Sequence, residues 1–432
     1  MLDSYFKLTE HNTTVRTEII AGFTTFLTMA YIIFVNPDIL AQAGIDRDAA
    51  FVATCLAAAL ATFAMGVVAN YPIALAPGMG VNAFFTYTVV IGEGHTWQIA
   101  LGAVFLAGLI FFALSVLPIR EWIINAIPRS QKIAIAAGIG LFLGIIALQN
   151  MQIVVDHPAT LVTLGDIGQP TVLLSIFCFL LIVTLEVRNI TGAIIISILA
   201  TTALGVMLGI SSFGGVMSMP PDLTPTFAQL DIAGAFNLGM TSIILAFLFV
   251  HMFDTAGTLV TVASSAGLLD KDGKFPRLDK ALLADSSSML AGSVIGTSPV
   301  TSYIESTAGV KAGGRTGLTA VVVAILFMAS LFFAPLVSSI PSYATFPVLL
   351  FVASLMMKNI IDIDWDDMTE YVPAVITILV MPLSYSIADG IGFGVITYAA
   401  LKVLTGKVDK TTIPVLIMAT IFLTKYAFLG VH

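Results

Sequence analysis

Three ionisable side chains occur inside stretches of this chain that are otherwise apolar. His251 and Asp254 share the run 245–259, and Glu305 lies in a second run that prolines and glycines interrupt. Charged groups are costly in an apolar environment, so they are functional candidates wherever they occur in one. His251 precedes Asp254 by three residues, and a helix would place both on one face. Either acid could carry a proton or accept hydrogen bonds from ring N–H groups of a planar heterocycle.

Further polar residues lie near these acids. Asp285 begins a span of small and apolar residues, and we expect it to orient the helices that carry Asp254 and Glu305, with direct ligand contact as the alternative. Asn82 offers an amide donor and acceptor, which suits a nucleobase edge or a bond between helices. Tyr303 could stack on a flat ligand or simply pack in the core.

Two interrupted segments, 76–85 and 296–306, must position these residues. Each places Pro, Gly and polar residues where a very apolar chain would otherwise continue as helix, and Pro77 and Pro299 lie 222 positions apart. Paired interruptions in corresponding places of two halves are typical of the binding site of a secondary transporter. Two ordinary proline kinks are the alternative interpretation.

The prolines also predict local structure. Proline lacks an N–H and disfavours helix in the residue before it, so each segment predicts extended chain, a turn and then a half-helix. The first half-helix is expected to begin at Met79, and Glu305 is expected about two turns into the second. Half-helix N-termini present free N–H groups and partial positive charge, which suit carbonyl oxygens or an anionic ring edge.

The composition indicates a membrane protein. The chain of 432 residues is 58% hydrophobic and 10% charged, whereas a soluble domain carries roughly a quarter charged residues. Its two cysteines, Cys55 and Cys178, give neither a metal-binding spacing nor a disulfide framework. No nucleotide-binding motif is present, and nothing suggests nucleic-acid binding. We therefore expect no cofactor and no metal, and energy from an ion gradient or passive transport.

The apolar runs predict an all-α polytopic protein that spans the lipid bilayer many times. Fourteen spans are expected at about 17–40, 49–70, 74–91, 97–117, 131–149, 171–187, 190–210, 238–263, 280–295, 298–313, 315–335, 343–358, 370–387 and 389–405. The long loops 150–170 and 211–237 contain no Lys or Arg, which places them outside and the N-terminus, 1–16, in the cytoplasm. A further apolar segment, 411–430, either spans the membrane or packs peripherally.

The two halves correspond in spacing. Adding 222 to a residue number carries Pro77 onto Pro299, and the first and fourth spans onto the eighth and eleventh. Because seven spans is an odd number, the second half must be inverted relative to the first. Side-chain identity between the halves is weak, and accidental spacing is the alternative.

Several segments together resemble the nucleobase/ascorbate transporter family, nucleobase–cation symporter family two, and most closely its adenine–guanine–hypoxanthine permease branch. They are TTFLTMAY at 24–31, APGMGVNAFF at 76–85, FDTAGTL at 253–259, ADSSS at 284–288 and YIES at 303–306. The resemblance implies a seven-plus-seven inverted repeat with short extended stretches in the third and tenth spans. It implies a core domain (17–117 and 238–335), a gate domain (131–210 and 343–405) and a homodimer.

The resemblance also implies roles for individual residues. The expected substrate-binding residues are Asp254, Glu305, Asn82, Tyr303, Pro77, Gly78, Met79, Thr258 and Ser302. The expected proton-coupling residues are Glu305, Asp254 and His251, with Asp285 and Pro299 in supporting positions.

The expected activity is proton-coupled import of purine nucleobases by alternating access through the cytoplasmic membrane. Hypoxanthine and guanine are favoured and adenine is possible, because 76–80 and 253–258 look more like the oxopurine permeases. The alternatives are an inorganic-anion transporter or a passive nucleobase facilitator of the same fold. An intramembrane enzyme is disfavoured, because the five histidines are scattered and no catalytic order of Ser, His and Asp occurs.

Overall fold

The computed structural model describes residues 2–116, 128–237, 239–268, 276–408 and 412–428. Its first half contains α1 (Leu2–Phe6), α2 (Val15–Met29), α3 (Ile32–Gln42), α4 (Arg47–Ala64), β1 (Leu75–Pro77), α5 (Met79–Ala83), α6 (Trp97–Val116), α7 (Arg129–Asn150), β2 (Val154–His157), β3 (Leu161–Leu164), α8 (Pro170–Val187) and α9 (Ala193–Met207). Two π-helical stretches, Met65–Ala69 and Phe84–Gly92, continue α4 and α5.

The second half repeats the mixture of long helices and one short strand. It contains α10 (Ile232–Ala235), α11 (Thr241–Ser265), α12 (Leu278–Ile295), β4 (Val300–Ser302), α13 (Ser306–Lys311), α14 (Gly317–Ser330), α15 (Ala334–Ser338), α16 (Ser342–Met357), α17 (Met368–Ser384), α18 (Ile387–Leu404) and α19 (Thr412–Phe428). Single 3-10 turns, Leu331–Phe333 and Lys358–Asp362, follow α14 and α16.

These elements follow the predicted segments in order. Within the described ranges, nine helices are long and apolar enough to cross a membrane, and α2 and α3 together form the first of them. The shorter apolar helices are Met79–Gly92, Ala193–Met207, Met368–Ser384 and Thr412–Thr424. The predicted span positions 117, 238, 411, 429 and 430 lie outside the described residues. The fold class is confirmed as helical and polytopic, while the number of crossings stays a prediction.

The long helices pack in two groups. In the first group, α12 packs against α4 and α6, and α14 packs against α2 and α4. In the second, α7 packs against α16 and α17, α8 packs against α9 and α16, and α17 packs against α18. The division into a core domain and a gate domain stays a prediction.

The C-terminal apolar segment forms α19 and packs against α18. The hydroxyl of Tyr426 donates to Oδ1 of Asp389 at 2.9 Å, and Phe422 is buried in the same contact. The segment is therefore fixed to the second helix group, whether or not it crosses the bilayer.

A buried carboxylate fixes where α14 begins. Glu18 of α2 accepts hydrogen bonds from the backbone N–H groups of Arg315 at 2.9 Å, Thr316 at 3.3 Å and Thr319 at 3.2 Å, and from the Thr319 hydroxyl at 2.6 Å. A negative charge at a helix N-terminus satisfies free N–H groups and interacts favourably with the helix dipole. This contact joins the first half of the chain to the second.

Candidate functional site

The two interrupted segments meet in a two-stranded sheet. Strand β1 pairs antiparallel with β4, with Leu75 opposite Ser302, Ala76 opposite Thr301 and Pro77 opposite Val300. Beyond the strands, Gly78 N–H donates to the Pro299 carbonyl and Tyr303 N–H donates to the Ala74 carbonyl, each at 2.9 Å. The pairing satisfies backbone groups that no helix bonds, which non-helical chain at membrane depth requires.

The first interruption has the predicted form. The chain is extended through Pro77, Gly78 is the extended residue that precedes the helix, and helix begins at Met79. A β-carbon at Gly78 would lie 2.6 Å from Cγ2 of Thr301, so only glycine allows the two segments to approach this closely. The first N–H groups of this helix have no partner within it. They lie next to the paired strands β1 and β4, which together with the ends of both interrupted segments are called the junction below.

The second interruption differs from the prediction. The extended stretch follows Pro299 rather than preceding it, and helix begins only at Ser306. Glu305 is therefore the residue that caps α13, and the expectation of about two helical turns before it is wrong. Pairing with β1 explains the difference, because it keeps the chain extended through Ser302.

The helix α12 ends at Gly296. This residue adopts a φ of 100°, which glycine tolerates and which ends α12. The buried Asn36 of α3 then holds the next two residues: its amide donates to Thr297 Oγ1 at 2.9 Å, and its oxygen accepts from Ser298 Oγ at 3.0 Å. The sheet is thus anchored to the first span.

Asp285 lies at the centre of a buried hydrogen-bond network. Its Oδ2 lies 2.8 Å from His251 Nε2 and accepts from the Thr255 hydroxyl at 2.7 Å, while its Oδ1 accepts from the Ser302 hydroxyl at 2.8 Å. Thr255 Oγ1 also lies 3.0 Å from Thr301 Oγ1. The Asp285 side chain, which belongs to α12, therefore connects α11 to β4. Helix α11 carries Asp254, and β4 ends three residues before Glu305.

His251 and Asp254 occupy the same helix but have different surroundings. His251 is fully buried, faces Asp285 and packs edge-on against Phe111, whose ring centroid is 5.4 Å away. Asp254 lies midway along α11 and is more exposed than His251. Its Oδ2 is 3.8 Å from the position that a β-carbon would occupy at Gly78.

Glu305, at the end of the second interruption, is half-buried. The hydroxyl of Tyr31, from the break between α2 and α3, donates to its Oε1 at 2.7 Å. The carboxyl groups of Asp254 and Glu305 are close enough for their charges to interact. Asp254 thus lies near the start of the first half-helix, and Glu305 lies within electrostatic range of it.

The other predicted residues are placed in distinct ways. Asn82 is fully buried, and neither atom of its amide has a hydrogen-bond partner among the described residues. The Tyr303 hydroxyl donates to the Pro77 carbonyl, and Ser302 is turned toward Asp285. Thr258 is buried one helical turn beyond Asp254.

Three contributors were not singled out from the sequence. Tyr31 and Thr255 lie inside the segments 24–31 and 253–259, and Asn36 follows in the first span. A polar residue in an apolar span was the available signal for Asn36. Their partners could not be identified without the fold, because Tyr31 and Glu305 are 274 positions apart.

The arrangement suits recognition of a small polar ring rather than bond chemistry. It offers two acids, one unpaired amide and the free N–H groups at the start of a half-helix. No group of three or more His, Cys, Asp or Glu side chains that could hold a metal occurs in the part of the chain that the structure describes.

Comparison with known proteins places this arrangement among permeases. A family model described as "Permease family" matches residues 16–393. The adenine permease AdeP of Escherichia coli is 48% identical over 100% of this chain and 97% of its own. The guanine/hypoxanthine permease PbuG of Bacillus subtilis is 46% identical over 99% of this chain and 100% of its own. These relatives are permeases and not enzymes.

Solved structures with a similar fold are more distant in sequence. The transmembrane domain of the cyanobacterial bicarbonate transporter BicA matches with a TM-score of 0.66 at 15% identity, covering 88% of this chain and 97% of that one. The murine Slc26a9 anion transporter in its inward-facing state matches with a TM-score of 0.64 at 12% identity, covering 91% and 68%. At these identities the likeness establishes the fold, a seven-plus-seven inverted repeat, and nothing about the ligand.

Proposed function

The chain belongs to the nucleobase/ascorbate transporter family, and from that premise we propose that it is a proton-coupled symporter importing purine nucleobases. The observation that carries the proposal is the pairing of the two interrupted segments, with Asp254 beside Gly78 and Glu305 within electrostatic range, in a chain nearly half identical to named adenine and guanine/hypoxanthine permeases over almost its whole length. The protein is a multi-pass membrane transporter. We place it in the cell membrane with residues 1–16 in the cytoplasm.

The purine binds between the first half-helix and α11. Asp254 accepts hydrogen bonds from ring N–H groups, because a carboxylate is a strong acceptor for such donors. The backbone N–H groups at the start of the first half-helix, from Met79 onward, take purine oxygen or nitrogen acceptors, whereas the Gly78 N–H is already bonded to the Pro299 carbonyl. The unpaired amide of Asn82 provides a donor and an acceptor for the remaining edge, which gives its buried polar atoms the partners that they otherwise lack.

The remaining predicted residues shape this site. Tyr303 closes it from the β4 side while its hydroxyl holds Pro77. Thr258 lines it from α11, and Ser302, with Pro299, acts by holding the strands.

Coupling uses the acids at the same junction. Glu305 carries the proton, and Asp254 changes its hydrogen bonds as purine and proton arrive. His251 acts through Asp285, to which it is bonded, and transmits changes from α12 to the helix that carries Asp254. Binding a neutral purine together with one proton lets the membrane potential and the pH gradient drive uptake.

Transport occurs as the first helix group moves relative to the second. The groups touch at the ends expected to be extracellular: the Thr345 hydroxyl donates to Asp38 Oδ2 at 2.9 Å, and the Thr88 hydroxyl donates to the Tyr385 carbonyl at 2.9 Å. Breaking these contacts opens the outward path, consistent with alternating access around a fixed site. We propose that the protein works as a homodimer.

The preferred purines in this proposal are hypoxanthine and guanine. Segments 76–80 and 253–258 favour hypoxanthine and guanine, whereas the relatives include both adenine and guanine/hypoxanthine permeases at similar identity. Uptake of radiolabelled hypoxanthine, guanine, adenine, xanthine and uracil into cells that lack purine transport tests the proposal. Accumulation of a purine that a protonophore abolishes is expected. Equilibration without accumulation would instead indicate a passive facilitator, and transport of bicarbonate but of no base would indicate an anion transporter.

A further inference from the structure

Tyr31 is a buried side chain whose hydroxyl points at one of the two acids of the site. It is 1% exposed and lies in the turn that separates α2 from α3. Its hydroxyl donates to Oε1 of Glu305 at 2.7 Å. One turn earlier, the Thr28 hydroxyl lies 3.4 Å from the Glu305 carbonyl oxygen. The break in the first span thus holds both the backbone and the carboxyl group of Glu305.

No other side chain among the described residues duplicates this bond. Tyr303, the second buried tyrosine at the junction, donates to the Pro77 carbonyl instead. The titratable groups that face Glu305 from the packed elements are Tyr31 itself, Asp254 of α11 and Glu186 of α8, with Tyr303 on its own segment. When ionised, Asp254 and Glu186 repel the negative charge of an ionised Glu305. Tyr31 is the one of the four whose hydroxyl bonds to the Glu305 carboxyl group.

We infer that Tyr31 is a positioning residue for proton coupling, which holds Glu305 at the junction and sets the pH range in which it exchanges its proton. The inference rests on the proposed function. A hydroxyl that donates to a carboxylate stabilises the ionised form relative to the acid. The bond therefore favours release of the proton once the site opens to the cytoplasm, and it keeps the emptied carboxylate in place for the return step.

The test replaces the hydroxyl without changing the shape of the side chain. Purine uptake by Tyr31→Phe is measured as a function of external pH. The midpoint of the pH profile is expected to move upward by about one to two pH units, since a hydrogen bond to a charged group is lost. The KM for the purine should change little, whereas the maximal rate should fall because proton release is slower. Tyr31→Met, which also lacks the donor, should move the midpoint in the same direction.

Tyr343→Phe is the matched control. It removes a buried hydroxyl that lies 2.9 Å from Ser211 Oγ, away from the acids, and should keep the wild-type midpoint. In a Glu305→Gln background, adding Tyr31→Phe should cause no further change in purine binding, because the two residues act as one unit.

The outcomes separate this inference from the proposed function. If the wild-type chain takes up no purine, the proposed function fails. If it accumulates purine but Tyr31→Phe and Tyr31→Met keep the wild-type pH midpoint, the inference alone fails. It fails equally if both Tyr31 variants are absent from the membrane while Tyr343→Phe is present, because Tyr31 would then serve the fold.

Discussion

Replacing Asp285 tests how the site is held together. The carboxylate accepts from the Thr255 and Ser302 hydroxyls and bonds to His251, and all these partners are buried. Asp285→Ala leaves two buried polar groups, His251 Nε2 and Ser302 Oγ, without a partner, because Thr255 Oγ1 still lies 3.0 Å from Thr301 Oγ1. At about 1–3 kcal/mol each, the cost is roughly 2–6 kcal/mol. The upper end of that range approaches the whole stability of a typical protein, about 5–15 kcal/mol, so the variant should be strongly destabilised, with α11 no longer held to β4.

Asp285→Asn keeps the shape of the Asp285 side chain but removes its charge, so it tests the two contributions separately. Its amide oxygen can still accept from His251 and Thr255, and the Ser302 hydroxyl can rotate to accept from the amide nitrogen. The loss is the difference between charged and neutral hydrogen bonds, about 1 kcal/mol per bond. We expect a folded protein with a moderately lower melting temperature and reduced uptake.

The assay combines thermal melting of the purified protein with purine uptake in cells at matched expression. Ser286→Ala is the control, since the Ser286 hydroxyl bonds only locally, to the Leu283 carbonyl at 3.2 Å. The expected order of stability is wild type and Ser286→Ala together, then Asp285→Asn, then Asp285→Ala. An Asp285→Ala protein that melts and transports like the wild type would refute the view that this network positions the site.

Three further predictions concern the acid, the junction and the periphery. Glu305→Gln should bind purine but lose accumulation driven by a pH gradient, measured as uptake before and after protonophore. Gly78→Ala should lower uptake more than stability, because its β-carbon would meet Thr301 at 2.6 Å where the strands join; equal uptake would contradict the close approach. Hydrogen bonds from Lys407 and from Thr369 hold the pKa of Asp367 well below its usual range. The resulting stabilisation is present above the unfolded-state pKa and is lost as the pH falls through the folded-state pKa, so acid should lower the melting temperature of the wild type more than that of Asp367→Asn.

The sequence was sufficient for features that depend on local chemistry. Proline and glycine punctuation predicted the extended stretch to Pro77 and the helix from Met79, because both follow from the geometry of those residues. The same reasoning failed at Pro299, where pairing with β1 decides the conformation and the partner strand lies more than two hundred residues away.

Contacts between distant segments account for most of what the sequence left undetermined. Asp285 was expected to orient its neighbours, and its bonds to His251 and Ser302 do join α11 to β4. The role of Tyr31 could not be predicted, because nothing in its own segment indicates that it meets Glu305. The spacing of 222 residues located both interruptions. It did not show that the first strand ends at its proline, Pro77, whereas the second strand begins after its proline, Pro299.

The most direct test of the central claim is purine accumulation by the purified protein in sealed proteoliposomes with an imposed pH gradient, acidic outside. The account predicts that radiolabelled hypoxanthine, guanine or adenine accumulates above its equilibrium level, that collapse of the gradient abolishes this, and that Glu305→Gln only exchanges or equilibrates the purine. Equal internal and external purine in wild-type vesicles, with or without the gradient, would contradict it.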